Sequence, residues 1–443
     1  AYSMTPKTVL RGGFGVFFTP GLVRLFNSGN PGFTVTTPFV ATIDSVTPVG
    51  SLVNPFPNGL QPLAGSSQGA ATLVGTGVGA LKYDTPLPYS MQWNFGVQRE
   101  LPGATGVSVT YAGNKGVLLP VNMALNALNP IHYGAIGDSA RVAELNGLVN
   151  NPFFGVITSG PLAARQIQRN QLLRSFPHFT GFNNNFLGGG NSSYHALQLS
   201  VQRRMSNGFL GTLSYTFSKN LGDVNMLTTS FFDAGQNPGY QNEFNRAADR
   251  SVLGSDFPHR LVFSGVYDLP FGRGRKFAAD SSRAVNLIIG GWQVNGIYTF
   301  QSGQALNFGV TGTPPYAGSR ASFTGSEVET TGSTSDRLGG PSGGSGYLNA
   351  AAFRRPVSFE FGDTPRLDGR HRGPKTFNFD FSLIKNIPIV ENVRLQFRAE
   401  AFNLTNTPVF GLPNTVVGNP GFGVIGGQSN QPRNMQLALK LIF

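Results

Sequence analysis

A two-residue alternation of apolar and polar side chains recurs along this chain, and it restricts the fold more than any other feature. In YSMQWNFGVQ (89–98), every second residue is Tyr, Met, Trp, Phe or Val, and polar or small residues lie between them. A period of two places successive side chains on opposite faces of a β-strand. The pattern returns in nine further segments, at 8–18, 105–113, 195–204, 209–219, 259–272, 291–303, 376–385, 393–402 and 434–443. The sequence therefore predicts an all-β fold of about ten strands.

The links between these segments are of two kinds. The short links lie at about 101–104, 205–208 and 386–392, and an intermediate one covers 270–290. The long links are rich in Gly, Asn, Ser and Pro and cover 19–88, 114–193, 220–258, 302–375 and 403–432. Alternating short and long links place all the long ones at one end of an antiparallel up-and-down sheet, as in outer-membrane barrels with short periplasmic turns. We therefore expect a single transmembrane β-barrel region over 1–443, with the five long links as extracellular loops.

The composition separates this interpretation from its main structural alternative, a soluble β-sandwich with one buried face. Only 12% of the 443 residues are charged, which is about half the usual share for a soluble domain. No run approaches the roughly 18 apolar residues of a transmembrane helix. The polar strand faces suit a hydrated lumen, and the faces rich in Phe, Leu and Val suit lipid. The barrel is the favoured prediction.

Two sets of strand residues acquire predicted roles from this assignment. The polar set is predicted to line the lumen and comprises Gln92, Asn94, Gln293, Asn295, Asp380, Arg394, Arg398 and Glu400. The aromatic set is predicted to anchor the barrel at the membrane interfaces and comprises Tyr89, Trp93, Tyr215, Tyr267, Trp292 and Tyr298. The hairpin of 376–385 and 393–402 also predicts a cross-strand pair between Asp380 and Arg398.

One long link has a composition suited to binding a solute. The stretch FFDAGQNPGYQNEFNRAADR (231–250) combines aromatic rings with amide side chains. Rings can stack on sugars or peptides and amides can form hydrogen bonds with them. The predicted contact residues are Phe231, Phe232, Tyr240, Asn242 and Phe244. In the alternative interpretation these rings only pack the loop against its neighbours.

The remaining motifs do not indicate an enzyme or a nucleic-acid-binding protein. The net charge is +12, but the basic residues cluster only in GRGRK (272–276) and RHR (370–372). The segment GFGVIG (421–426) matches G-x-G-x-x-G without the strand and helix that a dinucleotide site needs. The five histidines lack metal-ligand spacing, and the chain has no cysteine. We therefore predict no catalytic residue, no metal, no cofactor and no nucleic-acid partner.

The final segment, NMQLALKLIF (434–443), alternates up to its last residue. Leu439, Leu441 and Phe443 lie on its apolar face. This pattern resembles the β-signal that the barrel assembly machinery of the outer membrane recognises. The resemblance implies that these three residues form an assembly signal and that the assembly machinery is a partner.

Longer segments resemble the barrel of Oar-like TonB-dependent receptors. They are WNFGVQREL (93–101) with GVSVTYAGNKG (106–116), YHALQLSVQRRMSNG (194–208), SYTFSKNL (214–221), DFPHRLVFSGVYDLPFGRGRKF (256–277), GGWQVNGIYTFQSG (290–303) and RLQFRAEAFNLTNTPVFGLPN (394–414). The resemblance implies a barrel of about 22 strands in the outer membrane of a Gram-negative bacterium. The sequence shows no plug domain, TonB box or signal peptide, so we expect it to be the C-terminal part of a larger receptor.

The function that the resemblance implies is energised uptake of a large solute, an oligosaccharide or a peptide. Its partners would be outer-membrane lipid, the extracellular solute, and the TonB complex acting through parts outside these residues. Two alternatives stay open. One is a passive outer-membrane pore, and the other is a surface adhesin or structural outer-membrane protein.

Overall fold

The computed structural model describes residues 1–443 except 19–31, 36, 38, 40, 43–47, 58, 81–85, 159, 225–239, 332–336, 339–345 and 391–392, and except the side chains of 80 and 184–187. The chain divides into two compact units. One comprises 1–18, 88–119 and 189–443, and the other comprises 19–87 and 120–188. The first unit contains most of the strands, and the following paragraphs concern it unless the second unit is named.

The described secondary structure is dominated by strands. They are β1 (Tyr2–Thr5), β2 (Thr8–Phe18), β3 (Gly77–Ala80), β4 (Tyr89–Leu101), β5 (Thr105–Ala124), β6 (Leu148–Asn150), β7 (Gln166–Gln168), β8 (Gly181–Ser206), β9 (Phe209–Gly222), β10 (Ser251–Val252), β11 (His259–Asp268), β12 (Trp292–Gln301), β13 (Ala305–Leu306), β14 (Gly309–Val310), β15 (Ser322–Phe323), β16 (Phe353–Arg354), β17 (Asp368–Arg372), β18 (Thr376–Val390), β19 (Val393–Phe402), β20 (Val416–Val417) and β21 (Asn434–Ile442). The α-helices are α1 (Ser139–Asn146), α2 (Arg169–Leu172) and α3 (Arg283–Ile289). None of the helices described has the length and apolarity needed to cross a bilayer.

One large sheet contains the long strands. Its order is β1-β2-β4-β5-β8-β9-β11-β12-β18-β19-β21, and outside this order β3 pairs with β8 and β10 pairs with β9. Consecutive strands pair antiparallel, for example β8 with β9, β11 with β12 and β19 with β21. All ten predicted strands lie in this order, and β1 adds an eleventh that the sequence did not predict. The all-β, antiparallel prediction is confirmed.

The pairing register keeps the two strand faces distinct across the sheet. On the apolar face, Phe14 lies opposite Trp93, Leu213 opposite Phe263, and Leu395 opposite Leu441. On the polar face, pairs such as Gln92 with Asn114 and Thr299 with Asn378 oppose each other. Because partners in a ladder point to the same side, each strand extends the face of its neighbour. Large apolar side chains are exposed on that face, among them Phe14, Phe95, Leu437 and Leu439.

Aromatic rings on the apolar face cover glycines of the same or the next strand. The indole of Trp93 lies over Gly113, where an added Cβ would be 2.3 Å from the ring. Phe263 covers Gly265 in the same way, and Phe379 covers Gly296. A glycine would otherwise leave a gap in the strand surface, and the ring fills it. These positions therefore depend on the absence of a side chain.

Three strands, β5, β8 and β18, extend beyond the boundaries that the sequence predicted. The predicted long link 114–193 is shorter, because β5 continues to Ala124 and β8 begins at Gly181. The Gly-Asn-Lys-Gly stretch at 113–116 has the composition of a turn, yet β4 lies alongside it and pairs as far as Val117. Likewise β18 continues to Val390, so most of the predicted turn 386–392 is strand. Ladder pairing with a neighbouring strand overrides local turn propensity here.

The long links of the first unit have a hydrophobic core of their own. Its buried residues come from the ranges 302–375 and 403–432 and comprise Leu306, Phe308, Ala321, Val328, Leu348, Ala352, Phe353 and Val417. The rings of Phe308 and Phe353 lie 4.4 Å apart, centroid to centroid. Burying such rings provides favourable free energy that an unpacked loop lacks. These links are therefore folded segments with short strands of their own.

Buried arginines connect the link 220–258 to the link 302–375. Arg372 contacts the fully buried carboxylate of Asp256 at 2.5 Å, and Arg320 contacts Asp249 at 2.7 Å. The guanidinium of Arg366 donates hydrogen bonds to the carbonyls of Gly222 and Val224. A buried carboxylate needs its partner, since removing the cation leaves an uncompensated charge away from water. These pairs therefore hold distant segments of the chain in place.

We expect Gly113→Ala to displace the Trp93 ring and to lower the free energy of unfolding by roughly 1–3 kcal/mol, because the new methyl group overlaps the indole. The measurement is tryptophan emission together with urea unfolding in detergent micelles, in a Trp292→Phe background that leaves Trp93 as the only tryptophan. Gly106→Ala on the same strand is the matched control, since its nearest atom is 3.9 Å away. Unchanged emission in Gly113→Ala would contradict the overlap.

We expect Arg372→Gln to loosen the packing of the links, because Asp256 would stay buried without its cation, at a cost of about 3–5 kcal/mol. The measurement is the rate of limited proteolysis within 246–258 and 303–372. The control is Arg355→Gln, which removes an exposed arginine with a single long hydrogen bond of 3.4 Å to Thr311. Equal cleavage rates in the two variants would show that the buried pair does not hold the links.

Candidate functional site

The eight predicted lumen residues lie on the polar face of the sheet. Gln92 and Asn94 are on β4, Gln293 and Asn295 on β12, Asp380 on β18, and Arg394, Arg398 and Glu400 on β19. The register shows the shared face directly, since Asn295 and Glu400 both pair with Ser382. The structure thus brings the residues of β12, β18 and β19 together on one surface.

Side chains on this surface form hydrogen bonds with one another. Gln396 donates to Asn386 at 2.9 Å, and the Arg398 Nε donates to Gln396 at 2.6 Å. Next to them, Gln436 donates to Glu400 at 2.5 Å. A chain of polar groups from β18 to β21 results, with Arg398 and Glu400 4.0 Å apart at its centre. Such a hydrogen-bonded surface can contact water or a polar solute.

The predicted pair between Asp380 and Arg398 is wrong. Arg398 lies opposite Ile384, whereas Asp380 accepts hydrogen bonds from the Asn378 side chain and from the Asn403 backbone, both at 2.8 Å. The prediction assumed a seven-residue turn at 386–392, but the strands continue to Val390 and from Val393. The shorter connection moves each residue of β19 to a partner nearer the turn.

The six predicted anchors all lie on the apolar face, at different heights along the strands. Tyr267 and Trp292 are near the short-turn end, and Tyr89 is at the opposite end of β4, with its ring 5.7 Å from that of Phe18. Tyr215 and Tyr298 occupy intermediate positions, as does Trp93 over Gly113. The indole nitrogen of Trp292 donates to the carbonyl of Ile288 at 2.8 Å, which connects α3 to the sheet.

Two tyrosine–histidine pairs on the apolar face were not found from the sequence. The Tyr111 hydroxyl lies 2.7 Å from His195 Nδ1, and the Tyr215 hydroxyl lies 2.8 Å from His259 Nδ1. In each pair the rings are nearly parallel, at 18° and 19°. Each pair joins neighbouring strands of the sheet order and satisfies polar atoms on a surface that faces away from the lumen residues. Only the strand register could have revealed them.

The predicted loop site is described in part. Phe231 and Phe232 lie outside the described residues. The Tyr240 hydroxyl donates to the Asp223 carbonyl, and its ring lies 5.4 Å from the guanidinium of Arg246. Burial raises the pKa of the Tyr240 phenol above its ordinary value. Asn242 accepts a hydrogen bond from the Phe244 backbone at 3.0 Å.

These contacts show which of the three described loop residues can contact a solute. Tyr240 and Asn242 use their polar groups within the link itself. The ring of Phe244 is 49% exposed and is free to contact a solute. Within the described ranges, no three His, Asp or Glu side chains form a cluster able to hold a metal ion. Among the described residues of this link, the Phe244 ring can stack on a solute.

Three solved structures of outer-membrane proteins are similar to the chain at low identity. The outer membrane transporter YddB from Escherichia coli is 10% identical with a TM-score of 0.37, and the match covers 83% of this chain and 34% of YddB. The ferric-catecholate import receptor Fiu from E. coli is 10% identical with a TM-score of 0.36, and the match covers 100% of this chain and 34% of Fiu. FpvA of P. aeruginosa bound to heterologous pyoverdines is 8% identical with a TM-score of 0.36, and the match covers 99% of this chain and 31% of FpvA. The chain spans about a third of the length of each. At these TM-scores the likeness does not bear on function.

The sequence itself matches a defined protein family. The search of curated proteins gave no match. In contrast, the family described as "Outer membrane beta barrel domain" matches residues 1–436, nearly the whole chain. This match agrees with the antiparallel sheet, its two distinct faces and its exposed apolar side chains. The chain therefore belongs to the outer membrane β-barrel domain family, whose members reside in the outer membrane of Gram-negative bacteria.

Proposed function

We propose that this chain is the barrel portion of an Oar-like TonB-dependent receptor that imports a large solute, an oligosaccharide or a peptide. The observation that carries the proposal is the difference between the two faces of the sheet. One face is rich in apolar side chains, many of them exposed, and the other has a hydrogen-bonded polar surface that includes Gln396, Arg398 and Glu400. A polar surface opposite a lipid-facing one suits passage of a hydrophilic solute.

The proposed mechanism has no covalent step. A solute binds to the long links, which we propose are extracellular, with the exposed Phe244 ring among its contacts. The TonB complex then acts on a plug domain elsewhere in the full protein, and the solute passes along the polar face. The folded core of the links supports this role, since it holds a contact surface in a defined conformation and lowers the entropy cost of binding.

Two further partners belong to the proposal. The apolar face, with the six Tyr and Trp residues named above, contacts lipid and the membrane interfaces. The barrel assembly machinery recognises β21, on which Leu439 and Leu441 are 68% and 53% exposed, together with Phe443, which is 93% exposed. These side chains are accessible to a partner that pairs with or packs against the strand.

The second candidate function is a passive pore, and the hydrogen-bonded polar face favours it as much as it favours import. Energy dependence distinguishes the two. Cells producing the full natural polypeptide are given fluorescently labelled oligosaccharides and peptides, with and without a protonophore. Energised import predicts accumulation that the protonophore abolishes. Accumulation that persists after the protonophore, or that only equilibrates, would favour the pore, and binding without entry would favour an adhesin.

We expect Phe244→Ala to weaken solute binding about two- to tenfold, because an exposed ring that stacks on a sugar or peptide contributes on the order of 0.5–1.5 kcal/mol. The measurement is retention of the purified protein on an array of oligosaccharides and peptides, followed by titration of whichever compound binds. Phe154→Ala is the matched control, because Phe154 is 48% exposed in a link of the second unit. Equal affinity of the Phe244→Ala variant and the unsubstituted protein would remove Phe244 from the site.

A further inference from the structure

The link between β11 and β12 differs from the other connections of the sheet. It covers 269–291, contains α3, and lies at the short-turn end of the sheet, where β8 passes directly into β9. Its charged residues are Arg273, Arg275, Lys276, Asp280 and Arg283, so four cations accompany a single carboxylate. In barrels of this family's type the short turns face the periplasm, next to the phospholipid headgroups of the inner leaflet.

Most of these cations surround a single cavity. The cavity has a volume of about 190 Å³ and is lined by Arg273, Arg275 and Arg283 from the link and by Lys385 from β18. The rest of its lining consists of Phe271, Asn286, Leu287, Gly290, Gly291, Asn386, Ile387 and Pro388. Lys276, one residue from Arg275, does not line it. The cavity thus combines four positive charges with an apolar margin.

The arginines of this cavity have no acidic partner in the described part of the chain. No ion pair there includes Arg273, Arg275 or Arg283. Lys385 is 5% exposed, and its ammonium donates to the carbonyls of Ile288 and Gly290 at the end of α3. Neutral carbonyls hold this lysine in place without cancelling its charge. The cavity therefore attracts an anion, and guanidinium groups match the geometry of phosphate oxygens.

The surroundings of the cavity are apolar and continue the lipid-facing side of the sheet. Helix α3 exposes Val285, Leu287 and Ile288, the last at 72%, and Phe271 and Phe277 are 43% and 48% exposed. The Trp292 indole donates to Ile288, and the Lys385 ammonium lies 4.8 Å above that indole. The hydrogen bonds from Trp292 and Lys385 to the carbonyls at the end of α3 hold the helix against the apolar face. Basic groups next to exposed aliphatic groups are typical of segments that lie in a membrane interface.

We propose that this cavity binds the phosphodiester headgroup of an anionic phospholipid of the inner leaflet. The phosphate contacts Arg273, Arg275 and Arg283, and the acyl chains lie along α3 and the apolar face. A soluble phosphate would gain nothing from the exposed Leu287 and Ile288, and a zwitterionic headgroup would bring its own ammonium close to four cations. This site depends on membership of the outer-membrane family and not on the proposed transport function.

The test is native mass spectrometry of the full natural polypeptide extracted in a maltoside detergent. The probes are phosphatidylglycerol and phosphatidylethanolamine with identical acyl chains. We expect phosphatidylglycerol to be retained preferentially and Arg275→Gln to weaken it about fivefold, as expected for one basic group at a membrane surface. The triple variant Arg273→Gln, Arg275→Gln, Arg283→Gln weakens it roughly a hundredfold on the same basis. All three arginines are exposed, so these variants retain the fold.

Lys276→Gln is the matched control, since it removes the same charge from the same link but outside the cavity. Retention of phosphatidylglycerol should be unchanged in this variant. Equal losses in Lys276→Gln and Arg275→Gln would overturn the site in favour of diffuse attraction. Equal retention of the two lipids would overturn the preference for an anionic headgroup. Displacement of the lipid by glycerol phosphate or inorganic phosphate at similar concentration would overturn the assignment to lipid.

Discussion

The structure depends on one constraint: its backbone N–H and C=O groups must form hydrogen bonds with one another, because the bilayer provides no water to bind them. In a bilayer every N–H and C=O needs a partner within the protein, and a sheet supplies partners only between strands. The order from β1 to β21 satisfies this condition for each inner strand, whereas β1 and β21 each have one neighbour among the described residues. An unpaired edge is costly in lipid. In a bilayer each of these edges therefore needs a partner strand.

The sequence predicted the strands and their faces because a period of two is a local property. It failed where partners distant in the chain decide the outcome. Gly113 to Gly116 has turn composition, but β4 continues alongside it, and the partner of Arg398 depends on where β18 ends. The packing of the links was also beyond prediction: Arg366 contacts the carbonyl of Val224, 142 positions away. No local pattern marks such an arginine as buried.

The same distinction applies to the candidate site. Composition singled out an aromatic and amide-rich link as a candidate, but it could not tell which groups the fold itself uses. In the structure the Tyr240 hydroxyl donates a hydrogen bond to the Asp223 carbonyl, and the Asn242 side chain accepts one from the Phe244 backbone. The Phe244 ring stays exposed. The basic cluster GRGRK gave no functional prediction, because its significance depends on Lys385, more than a hundred residues later in the chain. The proposed basic cavity combines a link and a strand that lie far apart in the chain.

The glycines beneath aromatic rings have a consequence for strand alignment. A slip of one residue would exchange the two faces of a strand, and the alternation of polar and apolar residues opposes it. A slip of two residues preserves both faces, so alternation alone does not prevent it. Such a slip would carry Gly113 from beneath the Trp93 indole and bring Tyr111 or Lys115 into its place. The Trp93 ring fits only where its partner strand has no side chain. This fit therefore favours one register over the two-residue slips that keep the same residues on the apolar face.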